Sequence, residues 1–180
     1  MFVTKNKMKF RFTPYSFSTL STFELCKRKF KYAKIDKAPK NKKDMLPLIK
    51  GGAVHSILEN FPNPSDHKRA EEYQYIVEKF ASTSLGKKYL FIDCVSEFNF
   101  WLSKTLQTCE YSDKEALFIG KIDHICIIDN TLHLIDWKTG KYKEERWQNY
   151  DQLLFYAIYF FINSPQINKI KISYVFVEHN

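Results

Sequence analysis

The spacing of apolar residues predicts helices in the first half of the chain. Apolar residues recur every three or four positions over 18–32, from about 48 to 61, and over 66–81. Ser18 is the expected N-cap of the first helix, and Pro62 and Pro64 end the second. Residues 34–50, rich in Lys, Pro and Asn, are predicted to form a mobile basic loop. The apolar stripes are Leu20, Phe23 and Phe30, then Val54, Ile57, Leu58 and Phe61, then Ala70, Tyr73, Ile76, Val77 and Phe80.

In the second half of the chain the period changes. Residues 95–102 alternate between apolar and polar side chains, and 117–128 and 131–137 are rich in strand-forming residues. Asp129 and Asn130 separate the last two segments and tolerate positive φ, which predicts a tight hairpin. A long amphipathic helix over 144–162 and a strand over 169–177 follow. The expected core stripe of this helix is Trp147, Tyr150, Leu154, Ala157 and Phe161. The order of elements predicts an α/β sandwich with a mixed sheet.

The basic residues are concentrated at the N-terminal end. Residues 1–50 carry 14 Lys and Arg against three acids, whereas residues 51–180 carry 14 basic and 17 acidic residues. This asymmetry favours a polyanionic partner for the N-terminal part, with a solvated lysine-rich surface as an equal alternative. The 180 residues suffice for one domain, which we divide into a basic helical part, 1–50, and a core, 51–180.

Cysteine usage and hydropathy predict the compartment. The four cysteines are scattered without a C-x-x-C pair, so neither a zinc ribbon nor a thioredoxin-like site is expected. Residues 1–15 lack the apolar region of a signal peptide, and the longest apolar run, around 153–162, is too short to span a bilayer. We therefore expect a cytoplasmic protein with no membrane partner. Its Lys-, Asn-, Ile- and Phe-rich composition is typical of an AT-rich genome, such as that of a phage or a low-GC bacterium.

The predicted hairpin brings two carboxylates together. With Asp129 and Asn130 as its loop, Asp123 lies directly across from Asp136. Opposed carboxylates repel each other, and a divalent cation such as Mg²⁺ or Mn²⁺ turns that repulsion into coordination. Lys138 points to the same face and can orient a water or stabilise charge on a phosphate. The alternative is a pair of solvent-facing aspartates balanced by lysines, because D-x-K alone is a weak motif.

His55 and a set of polar residues on the last helix each have a structural and a functional interpretation. His55 lies beside the apolar stripe of its helix, and a lone histidine there is more often bonded to backbone than to a ligand. Gln148, Gln152 and Tyr156 recur every four residues and form a polar ridge on the last helix. This ridge is either exposed to solvent or reaches over the site to hold a phosphate or the attacking water.

Five segments, in order and with compatible spacing, match one known family. YSFSTLSTFELCKRKFKY is similar to its opening helix, GGAVHSILE to its G-x-x-x-H helix and FIGKIDHI to its G-x-I-D strand. LIDWKTGK and YDQLLFYAIYF match its D-x-K-T-G strand and Q-x-x-x-Y helix. Over about residues 14–160 the chain thus resembles the RecB-like branch of the PD-(D/E)xK nucleases. The resemblance implies a single-domain restriction-endonuclease-like α/β/α sandwich with a central mixed β-sheet.

The resemblance also implies a role for each matched residue. Lys138 would position or activate the attacking water, while Gln152 and Tyr156 would shape the site and contact the DNA strand. Glu97 matches an acidic residue that often precedes the G-x-I-D strand. The implied ligands of Mg²⁺ or Mn²⁺ are His55, Asp123, Asp136 and the backbone carbonyl of Trp137.

No iron–sulfur cluster is expected. Some relatives hold one through an N-terminal cysteine and three C-terminal cysteines, and Cys26 matches the first position. The C-terminal three are missing, because no cysteine follows Cys126. Cys26 is instead expected to be a buried apolar residue of the first helix.

These observations predict a Mg²⁺- or Mn²⁺-dependent deoxyribonuclease. The resemblance favours an exonuclease acting on DNA ends or single strands in repair, recombination or phage DNA metabolism, with a recombination or helicase protein as a candidate partner. Lys27, Arg28, Lys29 and Lys31 would bind phosphates without reading sequence. One alternative is a catalytically silent, nuclease-fold DNA-binding subunit of a recombination or defence complex. Another is a basic structural protein that binds no divalent metal.

Overall fold

The computed structural model describes residues 14–39, 42–140, 142 and 150–179. The strands are β1 (Tyr15–Ser16), β2 (Cys94–Leu102), β3 (Phe118–Ile128), β4 (Thr131–Lys138) and β5 (Ile170–Phe176). The helices are α1 (Phe17–Leu25), α2 (Lys27–Phe30), α3 (Lys42–Asn60), α4 (Ala70–Ala81), α5 (Ser84–Leu90) and α6 (Asp151–Asn163). A π-helical turn, Lys31–Ile35, follows α2.

One mixed sheet of five strands forms the centre of the fold. β3 is antiparallel to β2 and to β4, while β1 runs parallel to β3 and β5 runs parallel to β4. Since β1 and β2 both pair with Phe118 and Ile119, they lie on opposite edges of β3. The chain crosses from β4 to the parallel strand β5 through α6, because parallel strands need a long connection.

Helices cover both faces of this sheet, each over its own apolar core. On one face, α3, α4 and α5 pack against sheet residues that include Cys126, Ile135 and Trp137. On the other face, α6 packs against residues that include Ile122 and Leu134. This arrangement is the predicted α/β/α sandwich with a mixed sheet, so the fold class is confirmed.

Position 120 of β3 must be glycine because the core beneath α6 leaves no space there for a side chain. Its cross-strand partner on β2 is Phe100, whose ring occupies the space that a Cβ at position 120 would need. The Phe100 ring also stacks on Tyr159 of α6, with 4.0 Å between ring centroids. The missing side chain therefore lets an aromatic ring lie flat on the strand, three residues before Asp123.

The predicted first helix is interrupted at Cys26. This residue is extended, with φ −161° and ψ 103°, and its Sγ accepts a hydrogen bond from the Lys29 N–H at 3.4 Å. The N-cap is Ser16 rather than Ser18, because the Ser16 hydroxyl accepts from the Thr19 N–H at 3.3 Å. The described α1 and α2 contain no buried residue, so their apolar stripe is not part of the core, and the expected burial of Cys26 is wrong.

The second predicted helix is longer than expected. α3 begins at Lys42, so the prediction of a loop over 34–50 is wrong for its second half, and the expected division at residue 50 lies within this helix. Pro47 favours a loop in the sequence, but it lies in the second turn of α3, and the helix continues through it with the loss of one backbone hydrogen bond. The third helix begins at Ala70 rather than residue 66, and the short α5, capped by Thr83, was not predicted.

The last helix presents a different face to the sheet from the predicted one. α6 begins at Asp151, and residues 144–149, with Trp147 and Gln148, lie outside the described part of the chain. Tyr150 is not helical, and Leu154 and Phe161 of the predicted core stripe are about half exposed. Because apolar residues surround α6, periodicity alone does not identify the buried face. The buried residues of α6 are Leu153, Tyr156, Ala157, Tyr159 and Phe160.

Candidate metal centre

The β3–β4 hairpin has the predicted register. Asp129 and Asn130 form its turn with φ 48° and 56°, and the paired residues run from Ile128↔Thr131 to His124↔Ile135. The next position places Asp123 opposite Asp136. There the Asp123 carboxylate accepts a hydrogen bond from the Trp137 N–H at 2.8 Å. The side chain of Asp123 is thereby fixed against β4.

Glu97 adds a third carboxylate from the neighbouring strand β2. Ser96 pairs with His124 and Phe98 pairs with Ile122, so Glu97 lies opposite Asp123. Its φ of 54° is unusual for a residue other than glycine within a strand. Three adjacent strands therefore each contribute one carboxylate along a single line across the sheet. The side chain of Glu97 forms an ion pair with Lys121 of β3.

His55 of α3 reaches this line of carboxylates from the helical layer. Its Nε2 lies 3.0 Å from the backbone carbonyl oxygen of Trp137, and its Nδ1 lies 3.4 Å from Asp123 Oδ1. Burial lowers the pKa of His55, but the hydrogen bond and charge of Asp123, with the charges of Asp136 and Glu97, outweigh that effect and raise it. The imidazole therefore sits in a negative field.

The ligand atoms of three residues are close enough to share one cation. One atom each from His55, Glu97 and Asp123 lies within 4.8 Å of the other two. One imidazole nitrogen and two carboxylate oxygens suit Mg²⁺ or Mn²⁺. The donor set thus fits the expected cofactor, with Glu97 joining the predicted ligands His55 and Asp123.

Asp136 is the most buried carboxylate of the group. It is 6% exposed, and the ammonium of Lys138 contacts its Oδ2. Burial raises the pKa of Asp136 to about 6; the charge of Lys138 opposes this shift and the charge of Asp123 adds to it. A cation beside Asp136 would favour the ionised carboxylate, so the position suits a metal ligand.

A cleft of about 870 Å³ contains these groups. It lies between α3 and the end of β4, and Lys138 and Gln152 are part of its wall. Gln152 donates a hydrogen bond from Nε2 to the Tyr156 hydroxyl at 2.8 Å. Tyr156 is 4% exposed and packs in the core, so it holds Gln152 from below rather than forming an exposed ridge with it.

The basic residues predicted to bind DNA lie on α2 and the π-helical turn. All four are exposed, and within the described chain they are not part of the cleft wall. Arg28 donates hydrogen bonds to the Tyr32 hydroxyl at 3.3 and 3.4 Å, and Lys31 forms an ion pair with Asp36 at 2.8 Å. Their role in DNA binding stays a prediction.

The comparison with protein families gives one result, and it covers most of the chain. The family described as the PD-(D/E)XK nuclease superfamily matches residues 14–180. No curated protein matches the sequence. Within the described residues, no helix has both the length and the apolarity needed to cross a membrane.

Proposed function

The chain belongs to the PD-(D/E)XK nuclease superfamily, and from this premise we propose that it is an exonuclease of the RecB-like branch, acting on DNA ends or single strands. Membership of the superfamily supports a metal-dependent nuclease with DNA as substrate. The observation that carries the proposal is the meeting of three strand carboxylates, His55 and Lys138 in one cleft. DNA repair, recombination or phage DNA metabolism is the proposed setting.

We assign the metal ligands to His55, Glu97, Asp123 and Asp136. When bound, Mg²⁺ or Mn²⁺ supplies a Lewis acid for the phosphodiester and lowers the pKa of a coordinated water. A proton on His55 Nε2 would donate to the Trp137 carbonyl and leave the Nδ1 lone pair facing Asp123. The carbonyl would then orient the imidazole, as backbone acceptors commonly do at metal sites, and the second lone pair of the carbonyl oxygen would serve the predicted ligand role.

The remaining polar residues of the cleft would act on the substrate. Lys138 carries an ammonium next to the buried Asp136 and would stabilise the attacking water or the charge that develops on the phosphate. Gln152, held by Tyr156, would contact the strand being cut. The exposed cations at Lys27, Arg28, Lys29 and Lys31 would bind phosphates away from the cleft.

Cleavage of labelled DNA tests the proposal. End-labelled linear DNA, single-stranded and duplex, and closed circular DNA are incubated with Mg²⁺, Mn²⁺ or EDTA. We expect metal-dependent loss of the linear forms, intact circles, and a loss of rate of at least about 100-fold for Asp123→Asn. Asp66→Asn, an exposed carboxylate outside the cleft wall, is the matched control.

Each negative result of this assay has a distinct meaning. Cleavage of circles at the same rate would refute exonuclease action while leaving the metal-dependent nuclease intact. Wild-type protein that binds DNA but cleaves neither form with either metal would refute catalysis and support the silent DNA-binding subunit instead.

A further inference from the structure

The ammonium of Lys138 and the rings of Tyr174 and Tyr150 lie together beside the cleft. The Nζ of Lys138 lies 4.8 Å from the centroid of the Tyr174 ring. Tyr150 stacks on the same ring, with 5.4 Å between centroids and an angle of 18° between the planes. Tyr174 belongs to β5, where it is the register partner of Asp136 on β4. The ring is therefore fixed to the same pair of strands as the carboxylate that Lys138 contacts.

The aromatic contact differs in kind from the ionic one. An ammonium within about 6 Å of a ring centroid is attracted by the negative face of the ring, and the attraction grows when water is excluded. The Asp136 carboxylate attracts the same ammonium more strongly while no cation competes for its oxygens. If Asp136 ligates a divalent ion, that attraction weakens, because the carboxylate charge is then shared with the metal.

The ammonium of Lys138 needs a contact besides Asp136 to stay in one position. The lysine side chain has four rotatable bonds, so the ammonium can occupy many positions once its attraction to the Asp136 carboxylate weakens. The Tyr174 ring lies on a core strand and packs against the apolar core under α6. It therefore offers a contact that metal binding does not remove.

We propose that Tyr174 is a positioning residue for Lys138, holding the ammonium beside the reacting phosphate through the face of its ring. This inference rests on the proposed function, because it assigns Lys138 a part in phosphodiester cleavage. The hydroxyl group of Tyr174 is not required for the role. The ring is required, and Tyr150 stacks on it.

Kinetics on three variants of β5 test the assignment. We expect Tyr174→Leu to lower kcat about tenfold with KM for DNA and affinity for Mn²⁺ unchanged, as loss of a partly desolvated cation–π contact implies. Tyr174→Phe keeps the ring and should restore kcat to within about threefold of wild type. Ile172→Ala loosens the packing of the same strand without removing a ring, and serves as the control for a purely structural effect.

A double-mutant cycle and a spectroscopic measurement make the test specific. In a Lys138→Ala background, Tyr174→Leu should cause no further loss of rate. In the metal-free protein with ¹³C-methylated lysines, the Lys138 signal should be shifted upfield by the ring and move back in Tyr174→Leu.

The outcomes separate this inference from the proposed function. Additive losses in the cycle, an unshifted Lys138 signal, or an equal loss of kcat in Ile172→Ala would overturn the positioning role. Failure of the wild type to cleave DNA with any metal would overturn the proposed function itself.

Discussion

Each of the three strand carboxylates in the cleft faces a basic side chain of the same chain. Glu97 pairs with Lys121, Asp136 with Lys138, and Asp123 lies 3.4 Å from the His55 imidazole. These contacts moderate the repulsion among three acids on neighbouring strands. They do not abolish it, since the charge of Asp123 adds to the effect of burial, which raises the pKa of Asp136 to about 6. A fold gains nothing from such an arrangement alone, so the arrangement supports a role in binding a cation.

His133 allows a test of how burial of a histidine changes the pH dependence of stability. It is 5% exposed on β4, beside the Tyr89 hydroxyl at 3.3 Å. Burial, together with the charges of Lys88 and Lys171, lowers the pKa of His133 in the folded protein. Its contribution to stability is therefore full above the unfolded pKa of about 6.5 and is lost as the pH falls below it.

Urea unfolding between pH 8 and pH 5 measures this effect. We expect the wild type to lose more stability over this range than His133→Gln, which has no proton to gain. The control is His179→Gln, at an exposed position, which should follow the wild-type curve. Equal losses for the wild type and His133→Gln would show that burial of His133 does not contribute to the pH dependence.

At the scale of elements, the register of the hairpin was predictable, whereas the register of the neighbouring strand β2 against it was not. A two-residue turn determines the register of β3 and β4, so Asp123 and Asp136 could be placed opposite each other from the sequence. β2 and β3 are joined by residues 103–117, and no such rule relates Glu97 to Asp123 across a connection of that length. The proximity of His55 likewise depends on how α3 packs on the sheet, which the helical period does not specify.

The N-terminal helices permit a prediction at the same scale. Replacing Lys27, Arg28, Lys29 and Lys31 by glutamine should weaken DNA binding and make it less dependent on salt. For four lost phosphate contacts, the slope of log K against log salt should fall by about 3 to 4. The kcat at saturating DNA should stay unchanged, because these cations are not part of the described cleft wall.

The matched control removes the same charge elsewhere. Glutamine at Lys68, Lys79, Lys87 and Lys114, all exposed, lowers the net charge equally. Filter binding at several salt concentrations distinguishes the two sets. If both reduce the slope equally, the N-terminal helices bind DNA only through overall charge, and the predicted role of the basic segment is wrong.

At the scale of the whole molecule, the cleft lies where the helical layers of the two cores meet the sheet. The sheet separates the core under α3, α4 and α5 from the core under α6. The cleft lies where the layer of α3, through His55, and the layer of α6, through Gln152, meet the middle of β3 and the C-terminal end of β4. The sequence predicted the layers, because hydrophobic periods identify elements. The sequence did not predict which face of α6 is buried, because the buried face is the one whose rings, Tyr156 and Tyr159, pack on Phe100.

The most direct test of the account is the position of a manganese ion. Crystals soaked in Mn²⁺ should show an anomalous peak at about 2.0–2.3 Å from ligand atoms of His55, Glu97 and Asp123. Glu97→Gln should lower Mn²⁺ affinity about tenfold or more, whereas Glu59→Gln, an exposed acid of the same cleft, should not change it. A peak among these side chains would establish the metal centre. An empty cleft at millimolar Mn²⁺, or an ion bound away from His55 and Asp123, would contradict it.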